Sequence, residues 1–108
     1  MPRENLGELE QQILLAVLRL GGEAYSVPIV EELEERTGRE VAQAAVFIVM
    51  RRLESKGLLT SRLDEPESRR ARRYFKLTAV AMQKLRESRR QMVRLWEGME
   101  RELDEVTT

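Results

Sequence analysis

Cysteine and histidine are absent from these 108 residues. Without them there are no disulfides, thiolate metal sites or thiol nucleophiles, and no catalytic triad built on an imidazole base. No GxGxxG or Walker pattern, metal-ligand spacing, internal repeat or low-complexity tract takes their place. The glutamates and aspartates fall on charged helix faces rather than in an acid–base constellation, so the chain is expected to be no enzyme and to hold neither cofactor nor metal. Long apolar runs are missing as well. None approaches the ~18 residues of a membrane span, and the opening MPRENLGELEQQ carries no apolar signal core. The corresponding expectation is a cytoplasmic location with no membrane contact. Aromatic residues are scarce, at 5% against 35% charged, which points to an aliphatic, helical core under a heavily charged surface. A chain of this length forms one domain and buries roughly two-thirds of the surface its unfolded form exposes.

Net charge is also lacking, since 19 basic residues balance 19 acidic ones, but the balance conceals a segregation. Residues 1–40 hold 4 basic and 9 acidic side chains, residues 41–77 hold 9 and 4, and residues 78–108 hold 6 and 6. The middle segment therefore carries a net charge of +5 beside a segment of −5. A concentrated basic face on a neutral protein is the electrostatic footprint of a nucleic-acid binder.

That middle segment, VAQAAVFIVMRRLESKGLLTSRLDEPESRRARRYFKL, organises the chain. A helix from Ala42 to Lys56 is stopped by Gly57, and a strand follows from Leu58 to Leu63. A polar turn with Asp64, Pro66 and Ser68 leads into a returning strand from Ala71 to Leu77. Helix followed at once by a basic hairpin has the outline of a recognition helix and wing.

Before it, Leu6–Leu20 reads as a helix with Asn5 as N-cap and Gly21-Gly22 as its stop. Leu6, Leu9, Ile13, Val17 and Leu20 form a stripe that Leu14, Leu15, Ala16 and Leu18 widen past half the circumference, so a second cover is needed, expected from another subunit. A second helix starts with Ser26 as N-cap and Pro28 in its first turn, buries Ile29, Val30 and Leu33, and ends at Thr37-Gly38. Its glutamate-rich outer face is expected to stay in solvent, away from phosphate. Gly38 to Val41 is the turn of a helix-turn-helix.

In the helix after that turn, Val46, Val49, Met50 and Leu53 share a core-facing side. Gln43, Ala44, Phe47, Ile48, Arg51 and Arg52 occupy the other. Arginine suits phosphates or guanine edges, glutamine suits adenine, and Ile48 or Ala44 suits a thymine methyl. The wing adds Arg69, Arg70, Arg72, Arg73 and Lys76, five cations in eight residues, as expected for a minor groove or its flanking phosphates. Strand alternation would place Arg70 with Arg72 and Arg73 with Phe75, while Tyr74 and Phe75 are expected to pack rather than stack on bases.

Thr78 N-caps a last helix expected to run to about Leu103. Met82, Leu85, Met92, Trp96, Met99, Leu103 and Val106 keep a three-four alternation interrupted at Arg89, which reads as a heptad seam for a two-fold dimer. Gly98 within it permits close approach or a bend. Trp96 on that seam is a candidate ligand residue, with two symmetry-related indoles framing a slot for a small aromatic effector; the alternative is a packed core anchor.

ILLAVLRLGGEAYSVPIVEELEERTGR, AVFIVMRRLESKGLLTS and RARRYFKLT occur in the order and spacing of the PadR family of bacterial transcriptional regulators, which the chain resembles from about Leu9 to Leu85. The similarity is to the short branch with a single C-terminal helix. It departs from the family's pattern at Ala42, where a capping serine is usual, and at Phe47, where tyrosine is usual. Ser68-Arg69 replaces a glycine pair in the wing, and Ala81 replaces a glycine in the last helix. The resemblance implies a dimeric winged helix-turn-helix repressor whose last helix is the dimerisation arm, often with a small-molecule inducer.

The expected fold is thus mainly α with a small β-hairpin: a winged helix-turn-helix over residues 1–77 and a long C-terminal dimerisation helix over 78–108, forming one compact unit. The expected function is sequence-specific transcription regulation as a homodimer on a pseudo-palindromic double-stranded operator. DNA contacts are assigned to Gln43, Phe47, Ile48, Arg51, Arg52, Arg69, Arg70, Arg72 and Arg73, and dimerisation to Leu85, Met92, Trp96, Met99 and Leu103. The rival expectation is a winged-helix protein-interaction module that no longer reads DNA.

Overall fold

A computed structural model describes residues 6–67 and 70–105. Asn5, Ser68, Arg69 and Val106, to which the sequence assigns roles, lie outside the described residues. Helix α1 (Glu8–Arg19) starts from Gly7, and the Glu10 carboxylate accepts the Gly7 backbone N–H at 2.9 Å. It ends where Gly21 and Gly22 take positive φ, so that the Gly22 N–H reaches back to the Val17 carbonyl at 2.9 Å. A two-residue strand, β1 (Glu23–Ala24), follows.

Helix α2 (Ser26–Thr37) has Tyr25, not Ser26, at its N-cap. Ser26 is already helical, and its hydroxyl accepts the Gln43 side-chain amide at 3.0 Å instead of capping its own helix. Helix α3 (Gln43–Ser55) is capped by Ala42 without a side-chain bond, as expected where serine is missing. Its C-terminus closes at Gly57 (φ 79°), with the Leu58 N–H on the Leu53 carbonyl at 2.9 Å.

Strands β2 (Leu59–Asp64) and β3 (Arg72–Leu77) form the wing, pairing Leu59 with Leu77, Ser61 with Phe75 and Asp64 with Arg72. The hairpin is not alone: β1 adds to the far edge of β3 through Glu23–Lys76 and Ala24–Phe75, giving a three-stranded antiparallel sheet in the order β1-β3-β2. Helix α4 (Ala79–Trp96) starts from Thr78, whose hydroxyl accepts the Ala81 N–H at 3.2 Å and donates to the Gly57 carbonyl at 2.8 Å.

The expected single helix to Leu103 is interrupted. Gly98 takes φ 82°, and a short helix α5 (Glu100–Glu105) follows. A left-handed residue cannot continue the ladder of hydrogen bonds, so this glycine realises the bend rather than the close approach.

One core joins these elements: Ile13, Leu14, Ala16 and Val17 of α1, Ile29 and Leu33 of α2, Val46, Val49, Met50 and Leu53 of α3, Leu59 and Phe75 of the wing, and Ala81 and Leu85 of α4. Phe75, fully buried, locks the sheet to the helices. Among the described residues no helix is long and apolar enough to cross a membrane.

Candidate nucleic-acid interface

Burying Val46, Val49, Met50 and Leu53 fixes the rotation of α3, because a residue 180° from that stripe has no choice but to face outward. Ala44, Ile48 and Arg51 are at the centre of the outward face, and Ile48 is 64% exposed. Gln43 and Phe47 lie on its wing-side edge. Gln43 is held by Ser26, and the Phe47 ring meets Phe75 edge-on at 5.8 Å between centroids. Phe47 thus combines an exposed edge with a packing role that links the helix to the sheet.

The helix cations have partners within the chain. Arg51 Nη1 donates to Glu54 Oε1 at 3.2 Å, and Arg52 Nε lies 3.6 Å from Glu10 Oε2. Both side chains remain more than half exposed, so these pairs are weak and leave the guanidinium groups available to a competing phosphate.

The wing divides its arginines between two faces. Arg73 lies on the helix side with Phe75 and donates through Nη1 to Ser61 Oγ at 3.1 Å; Ser61 in turn donates to Glu54. Arg72 lies on the outer side, its Cζ over the Tyr25 ring at 4.5 Å from the centroid. Arg70, expected to share a strand face with Arg72, precedes β3, so strand alternation does not govern it. Tyr74 packs against Tyr25 (5.4 Å, edge-on), in line with its expected packing role.

Between α2, the start of α3 and the wing runs an open cleft of about 950 Å³. Tyr25, Val27, Phe47 and Leu63 form its apolar lining, and Gln43, Arg70, Arg72 and Arg73 its polar one. Five of the residues assigned to DNA contact from the sequence therefore border one feature. Ile48, Arg51 and Arg52 are not among its lining residues and belong to the open face of α3.

Two ion clusters had no signal in the sequence, and a third feature brings together apolar positions that the sequence marked on separate helices. Glu10 is only 6% exposed, between the Gly7 N–H, Lys56 Nζ at 3.0 Å and Arg52. Burial pushes its carboxyl up, but the Gly7 amide, Lys56 and Arg52 together outweigh that and hold it below the usual carboxylate range. Arg62 forms a two-pronged pair with Glu23 (3.1 and 3.2 Å) and lies 4.7 Å over the Tyr74 ring; its hydrogen bonds keep the Glu23 carboxyl low. The third is an apolar groove of about 470 Å³ where Leu15 and Leu18 of α1 face Met82, Leu85 and Met92 of α4. Among the described residues no cluster of three acidic side chains is arranged to hold a metal ion.

Comparison with known proteins follows the same lines. The model of the transcriptional regulator PadR-like family matches residues 14–87. A PadR family transcriptional regulator from Eggerthella lenta is 32% identical, with a TM-score of 0.69 over 89% of this chain and 86% of the other. A PadR family transcription regulator from Clostridium difficile is 19% identical (TM-score 0.74, 90% and 99% covered), and a winged-helix DNA-binding protein from STIV is 15% identical (TM-score 0.63, 79% and 87% covered). The last two share the fold. No curated protein matches. With the family model spanning both the helix-turn-helix and the wing, this winged-helix chain belongs to the PadR-like family of transcriptional regulators.

Proposed function

We propose that the chain is a sequence-specific DNA-binding repressor that acts as a homodimer on a pseudo-palindromic operator. The observation that carries this is the outward face of α3, with Ile48 and Arg51 exposed beside a cleft walled by Arg70, Arg72 and Arg73. In this reading residues 1–77 engage DNA, with Gln43, Phe47, Ile48, Arg51 and Arg52 in the major groove. Arg69, Arg70, Arg72 and Arg73 hold the wing-side backbone or minor groove, and the two recognition helices are about one helical turn apart. Residues 78–108 pair the protomers: Met92, Trp96, Met99 and Leu103 are exposed, while Leu85 already sits in the protomer's own core. A small aromatic effector would act in a slot framed by the two Trp96 indoles on the paired seam; the groove between α1 and α4 reaches Met92 and does not include Trp96 in its lining.

The test is fluorescence anisotropy with a duplex of the gene's own upstream region and a scrambled duplex of equal length, across a salt series. Preference for the native duplex and steep weakening with salt are expected. Replacing Arg70 and Arg72 together by alanine should flatten the salt slope by about two units; an unchanged slope removes the wing from the contact surface. The competing reading, a protein-interaction module, draws on Ile48 and Phe47, apolar side chains exposed on the same face. Absence of binding to either duplex at low salt selects it.

A further inference from the structure

The outer face of the sheet carries a continuous row of side chains whose purpose the core does not explain. Glu23 of β1 grips Arg62 of β2 with two hydrogen bonds; the Arg62 guanidinium lies over the ring of Tyr74 of β3; Tyr74 meets Tyr25 edge-on; and the guanidinium of Arg72 lies over Tyr25. The row spans all three strands and ends at Arg72, on the lining of the cleft shared with Gln43 and Phe47 of α3.

Each link restricts the next. Glu23 and Ala24 are fixed opposite Lys76 and Phe75, which sets Tyr25, the next residue, beside β3. A guanidinium held over an aromatic face is confined to a narrower range of positions while its N–H groups remain able to donate to a phosphate. An arginine free in solvent loses much of its rotamer freedom on meeting a phosphate. One already held over a ring has lost part of that freedom on folding.

We propose that Tyr25 is a positioning residue for DNA contact: backed by Tyr74 and Arg62, it holds Arg72 ready at the cleft without itself neutralising phosphate. This rests on the DNA-binding reading above and adds to it a residue that carries no charge.

The test compares Tyr25→Ala, Tyr25→Phe and Arg72→Ala, and the double variant Tyr25→Ala/Arg72→Ala, by anisotropy on the native duplex across the same salt series. Tyr25→Ala should weaken binding about two- to fivefold, the range of an exposed cation–π contact, and leave the salt slope unchanged. Tyr25→Phe, which keeps the ring, should bind like the wild type. Arg72→Ala should lower the slope by about one unit, and in its background Tyr25→Ala should add nothing further. Where Tyr25→Ala lowers the melting temperature enough to compromise folding, Tyr25→Leu keeps apolar volume without the π-face and carries the same expectations. The proposal is overturned if Tyr25→Ala binds as tightly as the wild type, or if it weakens binding equally with and without Arg72, as general loosening of the wing would. Failure of the wild type to bind either duplex is a different result, which removes the proposed function and this inference with it.

Discussion

The winged-helix portion and the end of the C-terminal helix solve the problem of apolar surface in opposite ways. Up to Leu85 the chain closes on itself: α1, α2, α3, the sheet and the first two turns of α4 share one buried core. Beyond Leu85 no described residue is buried, although Met92, Val93, Leu95, Trp96, Met99 and Leu103 all follow. Leu95 is 72% exposed and Trp96 42%. The molecule is correspondingly long, 57 Å on its greatest axis against 22 Å on its least. A helix can be locally stable from propensity and a sound cap, as α4 is with Thr78, without having found cover for its apolar stripe. The first region is held by its own packing, whereas the second leaves its apolar stripe uncovered in the protomer, with Met92 joining it to the groove that Leu15 and Leu18 of α1 line.

The contrast breaks most sharply at Phe75. Phe75→Ala removes a fully buried ring that touches both wing and helices, and should lower unfolding free energy by about 3–5 kcal/mol, measured by urea denaturation of the dilute protein. A loss below about 1 kcal/mol would mean that the core is not shared between them. In the other region, Trp96→Ala should leave the unfolding of the isolated protomer nearly unchanged but weaken self-association by about 2 kcal/mol or more, seen in sedimentation equilibrium. An unaltered association constant would remove the seam as the pairing surface.

Glu10 sharpens the comparison, since its ion cluster lies inside the self-sufficient region. Its folded carboxyl titrates below its unfolded value, so it contributes stability that is fully present above the unfolded value of about 4.3 and is lost as pH falls through the lower folded one. Glu10→Gln should cost about 1–2 kcal/mol at pH 7, with the gap to the wild type closing as both are acidified below about pH 4. A gap independent of pH would assign the cost to packing. The smallest effect is expected at Gly98, whose φ of 82° strains any L side chain although space around it is open. Gly98→Ala should change stability by less than about 1 kcal/mol and raise far-ultraviolet helicity, as α4 and α5 fuse. Unchanged helicity would show that the bend is held by more than glycine.

The C-terminal ends of the first three helices were legible because local chemistry sets them, with Gly21-Gly22, Gly38 and Gly57 as stops. The starts of α1 and α2 and the break after Trp96 differ from the expected ones. The buried stripe of α3 followed from apolar steps of three and four, and with it the identity of the outward face. Strand β1 was not legible, since two residues have no period and Glu23–Ala24 is a strand only because β3 offers an edge. The N-cap of α2 is Tyr25, and Ser26, one residue inside the helix, accepts a hydrogen bond from Gln43, seventeen residues away, a partner no local pattern announces.

What the sequence by itself determined was everything carried by neighbours in the chain: four principal helices, a basic hairpin, the core stripe and the segregation of charge. What only the tertiary structure decided was where the short strand β1 forms and which partner each charged side chain meets. Glu10 with Lys56, Glu23 with Arg62 and Arg72 with Tyr25 are separated by tens of residues, and long flexible side chains find partners only after the backbone has fixed their distances. Apolar burial follows a pattern that can be counted along a helix; the pairing of surface charges depends on three-dimensional proximity.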